Sequence, residues 1–490
     1  MSARRRDSES RNHARGDGYA HGPDSAGYPR SSTPAAPAAA AACGTVDDTM
    51  PLSCAQRGLW YLHHLEEPTT AYNVPLHVRL SGRLDRRALA FALSDVVGRH
   101  EPLRTVYPTV RGDPRQRVLE EERLPSLLSI DDRPETAGDR LSQAERHHFD
   151  LSTEPPIRGH LHRLGADEHM LLLVMHHIAV DGWSCPILLR DLGIAYTARL
   201  NGTPPAWPPL RTSYGEYARR QQELLADAEK PGRGLAAQLE HWRGTLAGLP
   251  EELELPFDRD RPVLPSHNSG TVSLHITPEL HRRLLRTARR NRCTLFMGLQ
   301  AGTAALFTRC GAGTDIPIGV PTVGRTETDL EDLVGLFVNP LVLRFDTSGD
   351  PSFKELLMRV RSTSLDAYAN WDLPFEYLVA RLNPRRSPAH HPLFQTMLAF
   401  NNDLGTGHQF PGLSVEAALA DPGTAKFDLD VGFSEKRTGT GETAGVTGSL
   451  QYSRDLFDHG TAQWLAAGLV GLLDSASRNP ERPISAIVED

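Results

Sequence analysis

The chain has 490 residues and a formal net charge of −8 at pH 7, and this length favours two or more domains over one ordinary core. The acidic balance provides no global basic field, so neither nucleic acid nor an anionic membrane surface is expected as a partner. No apolar run approaches the roughly 18 residues that a membrane-spanning helix needs, so no membrane segment is predicted.

The cysteines favour a reducing compartment. There are five of them, an odd number without CxxC spacing, which excludes a zinc framework and a secreted disulfide scaffold. They are Cys43, Cys54, Cys185, Cys293 and Cys310. We therefore predict a cytoplasmic protein with no bound metal.

The first 48 residues differ in composition from the rest of the chain. Residues 1–48 combine Arg, Ser, Asp, Gly, Pro and Ala without periodicity and cannot bury enough apolar surface to offset the entropy of ordering. We predict a disordered N-terminal extension there, either a passive tail or a docking element. The folded part is expected to form an N-terminal lobe over 49–225 and a C-terminal lobe over 226–490.

Strands and helices alternate in the first predicted lobe. Apolar residues recur at every second position in Tyr72–Leu80, which predicts a strand with one buried face. A helical stripe follows over Leu84–Val97. The further predicted elements are a strand near Arg104–Tyr107, a strand over Met170–Val180 and a helix over Ser184–Tyr196.

The second predicted lobe repeats this mixture after a polar helical stretch from Tyr214 to about Leu246. A Pro-rich segment, Leu255–Pro262, has the composition of a connection between lobes. The elements predicted after it are a strand over Gly270–Ile276, helices over Pro278–Arg290 and Thr294–Arg309, and a strand over Asp315–Val320. Because both halves mix strands and helices, we predict an α+β fold.

The most informative functional motif is a histidine pair at the end of an apolar strand, His176-His177-Ile-Ala-Val-Asp181-Gly182. Successive side chains of a strand point to opposite faces, so the two imidazoles are expected on opposite sides. This separation argues against a two-histidine metal chelate. One histidine then faces a reaction channel, where a ring with a pKa of about 6.5 is suited to deprotonating an amine or hydroxyl.

The motif alone leaves alternatives open. Asp181 can orient His177, or it can pair with an arginine and hold the loop, while Gly182 lets the chain turn. A buried structural histidine beside a turn aspartate is the competing interpretation of so short a pattern.

Companion motifs, in the family's order, resemble the condensation domain of nonribosomal peptide synthetases from about Leu52 to Asp490. They are LSCAQRGLWYL at 52–62, RHEPLRTVY at 99–107, MHHIAVDGWS at 175–184, SYGEYA at 213–218, IGVPTVGR at 318–325, VGLFVNP at 334–340, DLPFE at 372–376 and HPLFQTM at 391–397. The fourth departs from the family pattern, because Arg219 stands where the family usually adds a tryptophan.

The resemblance implies two chloramphenicol-acetyltransferase-like lobes that form a V, with the histidine motif in a central tunnel. It implies a donor carrier protein and an acceptor carrier protein at opposite ends of the tunnel. The acceptor can instead be a soluble small molecule. The 4′-phosphopantetheine arm is supplied by the carrier protein, so the chain itself is expected to bind no cofactor. We also expect a monomer.

The resemblance assigns the chemistry to His177, as general base or as the group that positions the nucleophile. It implies that the Gly182 amide faces the oxyanion of the tetrahedral intermediate. Ser184 and Asn339 are candidate tunnel residues, although a hydrogen bond at a strand end is an equal expectation for Asn339.

Three neighbours of the catalytic histidine are expected to support the site. Asp181 is expected to bridge to an arginine, with Arg325 as the first candidate and Arg104 as the second. His176 is expected to support the loop, and Trp183 to form tunnel wall or core.

Several other activities are compatible with a fold of this kind. A freestanding acyltransferase that makes an ester or amide on a soluble acceptor is the main alternative. An epimerisation domain shares the histidine motif but lacks the 318–325 type of segment, and a heterocyclisation domain would replace the histidines. An inactive recruitment module usually loses the histidines, and a non-catalytic carrier-protein scaffold would not need His177. Residues 65–75 resemble the subtype that accepts donors ending in a D-residue.

Overall fold

A computed structural model of the chain describes residues 49–65, 69–133, 137–227, 234–385, 387–401, 404, 410–421 and 423–487. The N-terminal extension predicted over residues 1–48 lies outside the described residues.

The first half of the folded body alternates strands and helices. In chain order these are β1 (Met50–Pro51), α1 (Cys54–Leu65), β2 (Asn73–Gly82), α2 (Arg86–Arg99), β3 (Thr105–Val106), β4 (Thr109–Val110), β5 (Asp113–Val118), β6 (Leu128–Asp131), α3 (Ala137–Glu145), β7 (Ile157–Arg163), β8 (Glu168–His176), α4 (Ser184–Leu200), α5 (Tyr214–Asp227) and α6 (Leu235–Thr245). The start of α2 is fixed by Asp85, whose side chain accepts the Ala88 N–H at 2.9 Å as an N-cap.

The second half continues with β9 (Ser269–Ile276), α7 (Pro278–Arg290), α8 (Leu295–Arg309), β10 (Asp315–Thr322), β11 (Asn339–Asp346), α9 (Phe353–Tyr368), α10 (Phe375–Leu382), β12 (Thr396–Asn401), β13 (Leu413–Leu419), β14 (Leu429–Arg437), β15 (Thr443–Ser453) and α11 (His459–Arg478). Thr277 and Thr294 cap α7 and α8, so both helices begin close to where the sequence predicts them.

Two large sheets organise these elements. The first has the strand order β13-β2-β8-β7-β6, and the second has the order β11-β10-β12-β14-β15-β9. Strand β13 belongs to the second half of the chain but pairs antiparallel with β2, with Leu413 opposite Gly82. The first sheet is therefore completed by a strand from beyond the lobe boundary that the sequence predicts.

Each sheet packs its own hydrophobic core against helices. The first core contains Leu76, Leu172 and Leu189 and also takes in Val334 and Phe410 from the second half. The second core surrounds the six-stranded sheet together with α8, α9 and α11. Burial of these apolar faces stabilises both layers, and the mixture of helices and mixed sheets confirms the predicted α+β class.

The strand that carries the histidine pair is shorter than predicted. It ends at His176, opposite Asn73 at the start of β2, and His177–Ala179 form a single 3₁₀ turn. Beyond His176 the strand has no partner residue on β2 to continue the ladder. The His176 Nδ1 also accepts the Ile178 N–H at 3.1 Å, which favours the turn. The prediction of a strand through Val180 is therefore wrong.

Candidate active site

His176 is packed among aromatic rings of the first half of the chain. Its side chain is buried, and its ring contacts those of His63, Tyr72 and Phe149, with centroid distances of 5.1, 6.3 and 6.0 Å. Because Nδ1 accepts a backbone N–H, that nitrogen carries no proton. Burial, with the neighbouring His63, His177 and Lys426, holds the pKa of His176 well below its usual value, so this imidazole is neutral.

His177 occupies a different environment, at the start of the 3₁₀ turn. Its backbone N–H donates to the Tyr72 carbonyl at 2.8 Å, and its side chain is half-buried. Nδ1 is buried, and among the described residues no hydrogen bond of ordinary geometry reaches it. Burial, assisted by the positive charge of Lys426, lowers the pKa of His177 to about 3. The ring is therefore a neutral hydrogen-bonding group near pH 7.

Asp181 is directed away from the histidines and towards the second half of the chain. Its Oδ1 accepts the Ser184 N–H at 2.8 Å, and its Oδ2 accepts the Phe337 N–H at 3.0 Å. The Arg325 guanidinium lies 3.3 Å from Oδ1. Within the part of the chain that the structure describes, no hydrogen bond joins Asp181 to His177. The carboxylate thus fixes the loop after the turn and does not orient the ring.

Arg325 is the arginine that pairs with Asp181, and it was the first of the two candidate partners. Its guanidinium also donates to the Leu330 carbonyl at 2.9 Å and lies 4.1 Å from the centroid of the Phe337 ring. Arg104, the second candidate, instead donates to the Leu119 carbonyl at 2.5 Å and is not part of this cluster. The 318–325 motif is therefore tied to the histidine loop through one buried ion pair.

Ser184 does not line a tunnel. It is fully buried, and its hydroxyl lies 2.8 Å from Asp181 Oδ1 and 3.0 Å from the Gly335 carbonyl, while it accepts the Gly335 N–H at 3.1 Å. The prediction that Ser184 lines the tunnel does not hold, because its hydroxyl is enclosed by Asp181 of its own loop and by Arg325 and Gly335 of the second half.

Asn339 has a similar bracing arrangement at the start of β11. Its amide donates to the Trp371 and Leu373 carbonyls at 2.9 and 3.0 Å, and its Oδ1 accepts the Phe375 N–H at 2.9 Å. This is the expected hydrogen bonding at a strand end, and it fixes the loop before α10.

Gly182 and Trp183 follow the aspartate on the exposed side of the loop. A Cβ added to Gly182 would meet no atom within 4 Å, so neither packing nor a left-handed backbone requires glycine there. Gly182 itself is exposed, whereas Trp183 is half-buried immediately before α4. The space above Gly182 is open next to the turn that carries His177.

Two side chains that the sequence analysis did not select as site residues hydrogen-bond to the His177–Ala179 turn. Gln56 Nε2 donates to the Ile178 carbonyl at 3.3 Å, and the Tyr107 hydroxyl donates to the same carbonyl at 3.4 Å. Both are buried and bond to each other at 3.2 Å. The sequence did contain a signal for both residues, because Gln56 lies in the 52–62 motif and Tyr107 in the 99–107 motif.

Lys426 is a further residue near the histidines that sequence reasoning missed. Its ammonium lies 5.6 Å from the centroid of the Tyr72 ring, and its positive charge acts on both His176 and His177. No local pattern could have revealed this, because Lys426 is more than 240 positions away from the pair in sequence.

The described residues contain no group of three or more His, Cys, Asp or Glu side chains arranged to hold a metal ion. Among the helices that the structure describes, none is long and apolar enough to cross a membrane.

The sequence matches the protein family described as Condensation domain over residues 46–489. The chain is 51% identical over 438 residues to a dimodular nonribosomal peptide synthase of Bacillus subtilis (strain 168), covering 89% of this chain and 18% of that protein. It is 42% identical over 442 residues to an isonitrile lipopeptide synthase of Mycobacterium tuberculosis (strain H37Rv), again covering 89% of this chain and 18% of that protein. The chain thus spans less than a fifth of the length of these two relatives.

Solved structures agree with this match. The X-domain from teicoplanin biosynthesis superposes with a TM-score of 0.84 at 34% identity, covering 91% of this chain and 99% of that chain. The condensation domain from the monacolin K polyketide synthase MokA superposes with a TM-score of 0.77 at 19% identity, covering 89% and 99% of the two chains, a likeness of fold. With the chloramphenicol-acetyltransferase-like fold and the ordered histidine loop, these matches show that the chain belongs to the condensation-domain family of nonribosomal peptide synthetases.

Proposed function

We propose that the chain transfers an acyl or aminoacyl group from a carrier-protein thioester to an amine or hydroxyl acceptor. The nucleophile attacks the thioester carbonyl, a C–N or C–O bond forms, and the C–S bond breaks. The proton lost by the nucleophile ends on the departing thiol, so atoms balance without an acyl-enzyme. The observation that carries the proposal is the half-buried His177 ring at the start of the 3₁₀ turn, in a loop that continues to Gly182, above which the structure leaves open space.

His177 acts mainly by positioning the nucleophile. A ring whose pKa is about 3 is a weak base near pH 7, but its neutral Nε2 can accept a hydrogen bond from an amine. A free α-amine, with a pKa of about 7.7–8.0, is already partly neutral in that range, so complete proton abstraction is not required. Orientation of the two reacting groups then supplies the larger share of the rate.

The loop after the turn completes the site. The Gly182 amide is the candidate donor to the oxyanion of the tetrahedral intermediate, and the missing side chain leaves room for the thioester. Asp181 and Arg325 hold this loop from the far side, and Trp183 borders it. Asp181, Arg325 and Trp183 thus support the loop, whereas His177 and Gly182 act on the reacting groups.

The partners follow from the same chemistry. The donor is a carrier protein loaded through 4′-phosphopantetheine, and the acceptor is a second carrier protein or a soluble amine or alcohol. The two lobes would enclose a central tunnel that both arms enter. We place this reaction in the cytoplasm, with a monomeric chain that holds no cofactor of its own.

The test supplies the chain with acyl-loaded carrier proteins and offers an amine and an alcohol acceptor in parallel. Mass spectrometry measures which product forms with the wild type, with His177→Ala and without enzyme. We expect product above background from the wild type and loss of that product in the variant. If no loaded carrier and acceptor gives product above background, the proposed transfer is wrong.

A freestanding acyltransferase acting on a soluble acceptor is the alternative within this chemistry. It would give product with the soluble acceptor even when no acceptor carrier protein is present.

The similarity to the teicoplanin X-domain favours a second candidate, a non-catalytic recruitment role. That X-domain has also been solved in a complex with OxyB. A recruitment module would bind its protein partner equally well with His177 replaced. Unchanged partner binding together with no transfer by the wild type would favour this role.

A further inference from the structure

Tyr214, at the start of α5, is a buried tyrosine whose hydroxyl joins the two halves of the chain. The hydroxyl donates to the Leu336 carbonyl at 2.6 Å and lies 2.9 Å from the Ser53 Oγ. Because a tyrosine hydroxyl has a single proton, the Ser53 hydroxyl is the donor in the second bond. The ring packs against Phe337, at a centroid distance of 5.0 Å, and a Cβ on Gly335 would come within 2.3 Å of it. Tyr214 is therefore held tightly between α1 and a loop of the second half.

Ser53 extends this contact to the histidine turn through Gln56. The two residues form a capping box at the start of α1: the Ser53 Oγ accepts the Gln56 N–H at 3.1 Å, and the Gln56 Oε1 accepts the Ser53 N–H at 3.2 Å. The Gln56 Nε2 donates to the Ile178 carbonyl at 3.3 Å, inside the turn that begins at His177. A buried chain of hydrogen bonds thus runs from Leu336 through three side chains to that turn.

The loop that receives the Tyr214 hydroxyl also holds the other end of the histidine motif. The Ser184 hydroxyl accepts the Gly335 N–H at 3.1 Å, and Asp181 Oδ2 accepts the Phe337 N–H at 3.0 Å. This loop of the second half is therefore connected to the histidine motif by two routes, one through Asp181 and Ser184 and one through Tyr214.

We propose that Tyr214 is a positioning residue of the transfer reaction: through Ser53 and Gln56, its hydroxyl holds the turn that carries His177 at a fixed distance from the second half. Loss of the hydroxyl leaves the Leu336 carbonyl and the Ser53 hydroxyl each one partner short, and buried polar groups repack when a partner is lost. A misplacement of the turn by about 1 Å can lower a rate about 10²-fold. The kinetic role rests on the proposed function, whereas the effect on the turn does not.

Two tyrosine variants separate positioning from stability. Tyr214→Phe removes only the hydroxyl, because the ring and its contact with Phe337 remain. Tyr196→Phe is the matched control: Tyr196 is also buried, and its hydroxyl accepts the Asp85 N–H at 3.0 Å at the start of α2. Both variants lose one buried hydroxyl, so both should lose a similar amount of stability. Of the two, only Tyr214 belongs to the chain of hydrogen bonds that reaches the His177 turn.

Hydrogen–deuterium exchange of the full chain, measured by mass spectrometry of peptides, tests the effect on the turn without any substrate. The His177 N–H donates to the Tyr72 carbonyl at 2.8 Å, and this bond protects the amide from exchange. We expect exchange over residues 176–181 to be about threefold faster or more in Tyr214→Phe and unchanged in Tyr196→Phe. Wild-type exchange over this segment in a folded Tyr214→Phe variant would overturn the proposal.

Circular dichroism confirms that each variant is folded. If Tyr214→Phe does not fold, Ser53→Gly replaces it, because that variant breaks the chain of hydrogen bonds at its next member and glycine is an acceptable N-cap for α1. The same increase in exchange over residues 176–181 is expected, and its absence in the folded variant has the same consequence.

Where transfer is observed, steady-state kinetics of the folded variants distinguish positioning from binding. Tyr214→Phe should lower kcat about tenfold and leave KM for the loaded carrier proteins within about twofold of the wild type. In a Gln56→Leu background the same substitution should lower kcat by less than about twofold, because the chain of hydrogen bonds is already broken. Equal losses of kcat in both backgrounds would contradict the route through Ser53 and Gln56. If the wild type transfers no acyl group, the proposed function fails, and the exchange measurement alone decides whether Tyr214 holds the turn.

Discussion

At the scale of single residues, the motif that looks symmetrical in sequence is divided between two environments. His176 is enclosed by aromatic rings, whereas the His177 side chain remains half-buried. Strand alternation predicts that the two rings point to opposite faces of one strand. That premise does not hold, because the chain leaves the strand at His176 and His177 begins a turn.

Removing the Asp181 carboxylate should destabilise the fold. In Asp181→Ala, the Arg325 guanidinium, whose side chain is only 5% exposed, is left as an uncompensated buried charge. Breaking a buried pair in this way costs about 3–5 kcal/mol. Urea unfolding followed by circular dichroism measures the change. Asp329→Ala, which breaks an exposed pair with Arg211, should change stability by less than about 1 kcal/mol. Equal effects of the two substitutions would contradict the bracing role of Asp181.

Glycine at position 182 should matter for transfer and not for folding. Gly182→Val places its side chain in open space, so we expect an unchanged melting temperature and a loss of transfer of about tenfold or more. Gly324→Ala is the opposite case, because that residue has a φ of +62° and its Cβ would collide with the Phe337 carbonyl. That variant should lose stability. A Gly182→Val variant with full activity would contradict the assignment of this space to the substrate.

At the scale of elements, the turn after β8 depends on side chains that are distant in sequence. Gln56 and Tyr107 converge on the Ile178 carbonyl from α1 and from the segment after β3. The sequence identified both as parts of motifs without giving them a role. Periodicity predicts which residues form a strand or helix, but it cannot predict which buried carbonyl a side chain will reach.

Gln56→Leu should loosen this turn. It removes one donor to the Ile178 carbonyl, and an incompletely satisfied buried group of this kind costs about 1–3 kcal/mol. Because His177 begins the same turn, transfer should also fall. Gln222→Leu removes a hydrogen bond to the Leu52 carbonyl and is the control for stability alone. Normal transfer in a destabilised Gln56→Leu variant would show that the turn does not depend on this brace.

At the scale of the whole molecule, the two halves of the chain share a sheet and hydrogen bonds across residue 225, where the sequence predicts a boundary between lobes. Strand β13 completes the first sheet, and Ser184 bonds across to Gly335. The fold class was predictable because each local segment carries its own periodicity. The pairing of β13 with β2 was not predictable, because strand pairing between distant segments leaves no local signal.

Acid should destabilise the whole fold. Burial lowers the pKa of His160 and His391 to about 4 and that of His177 to about 3, so the unfolded chain binds more protons than the folded chain below about pH 6.5. The contribution of each neutral histidine to stability is therefore lost progressively as pH falls from about 6.5 towards its folded value. Glu376 and Asp430, with pKa values raised to about 7 and about 6, act in the opposite direction over part of this range.

Three histidines outweigh two carboxyl groups, so we expect a net decrease in stability between pH 6.5 and pH 4. Each net proton taken up on unfolding contributes about 1.4 kcal/mol per pH unit. Thermal melting across this interval measures the effect. A melting temperature that rises on acidification would show that the carboxyl groups dominate.

The account depends most on His177 as the group that positions the nucleophile. A single-turnover assay with an acyl-loaded carrier protein and an accepted nucleophile compares the wild type with His177→Gln. His160→Gln serves as the control, because it removes another half-buried imidazole whose pKa is lowered, to about 4. We predict a loss of about 10²–10⁴-fold for His177→Gln and near wild-type transfer for His160→Gln, both variants being folded. Equal single-turnover rates for wild type and His177→Gln would contradict the account.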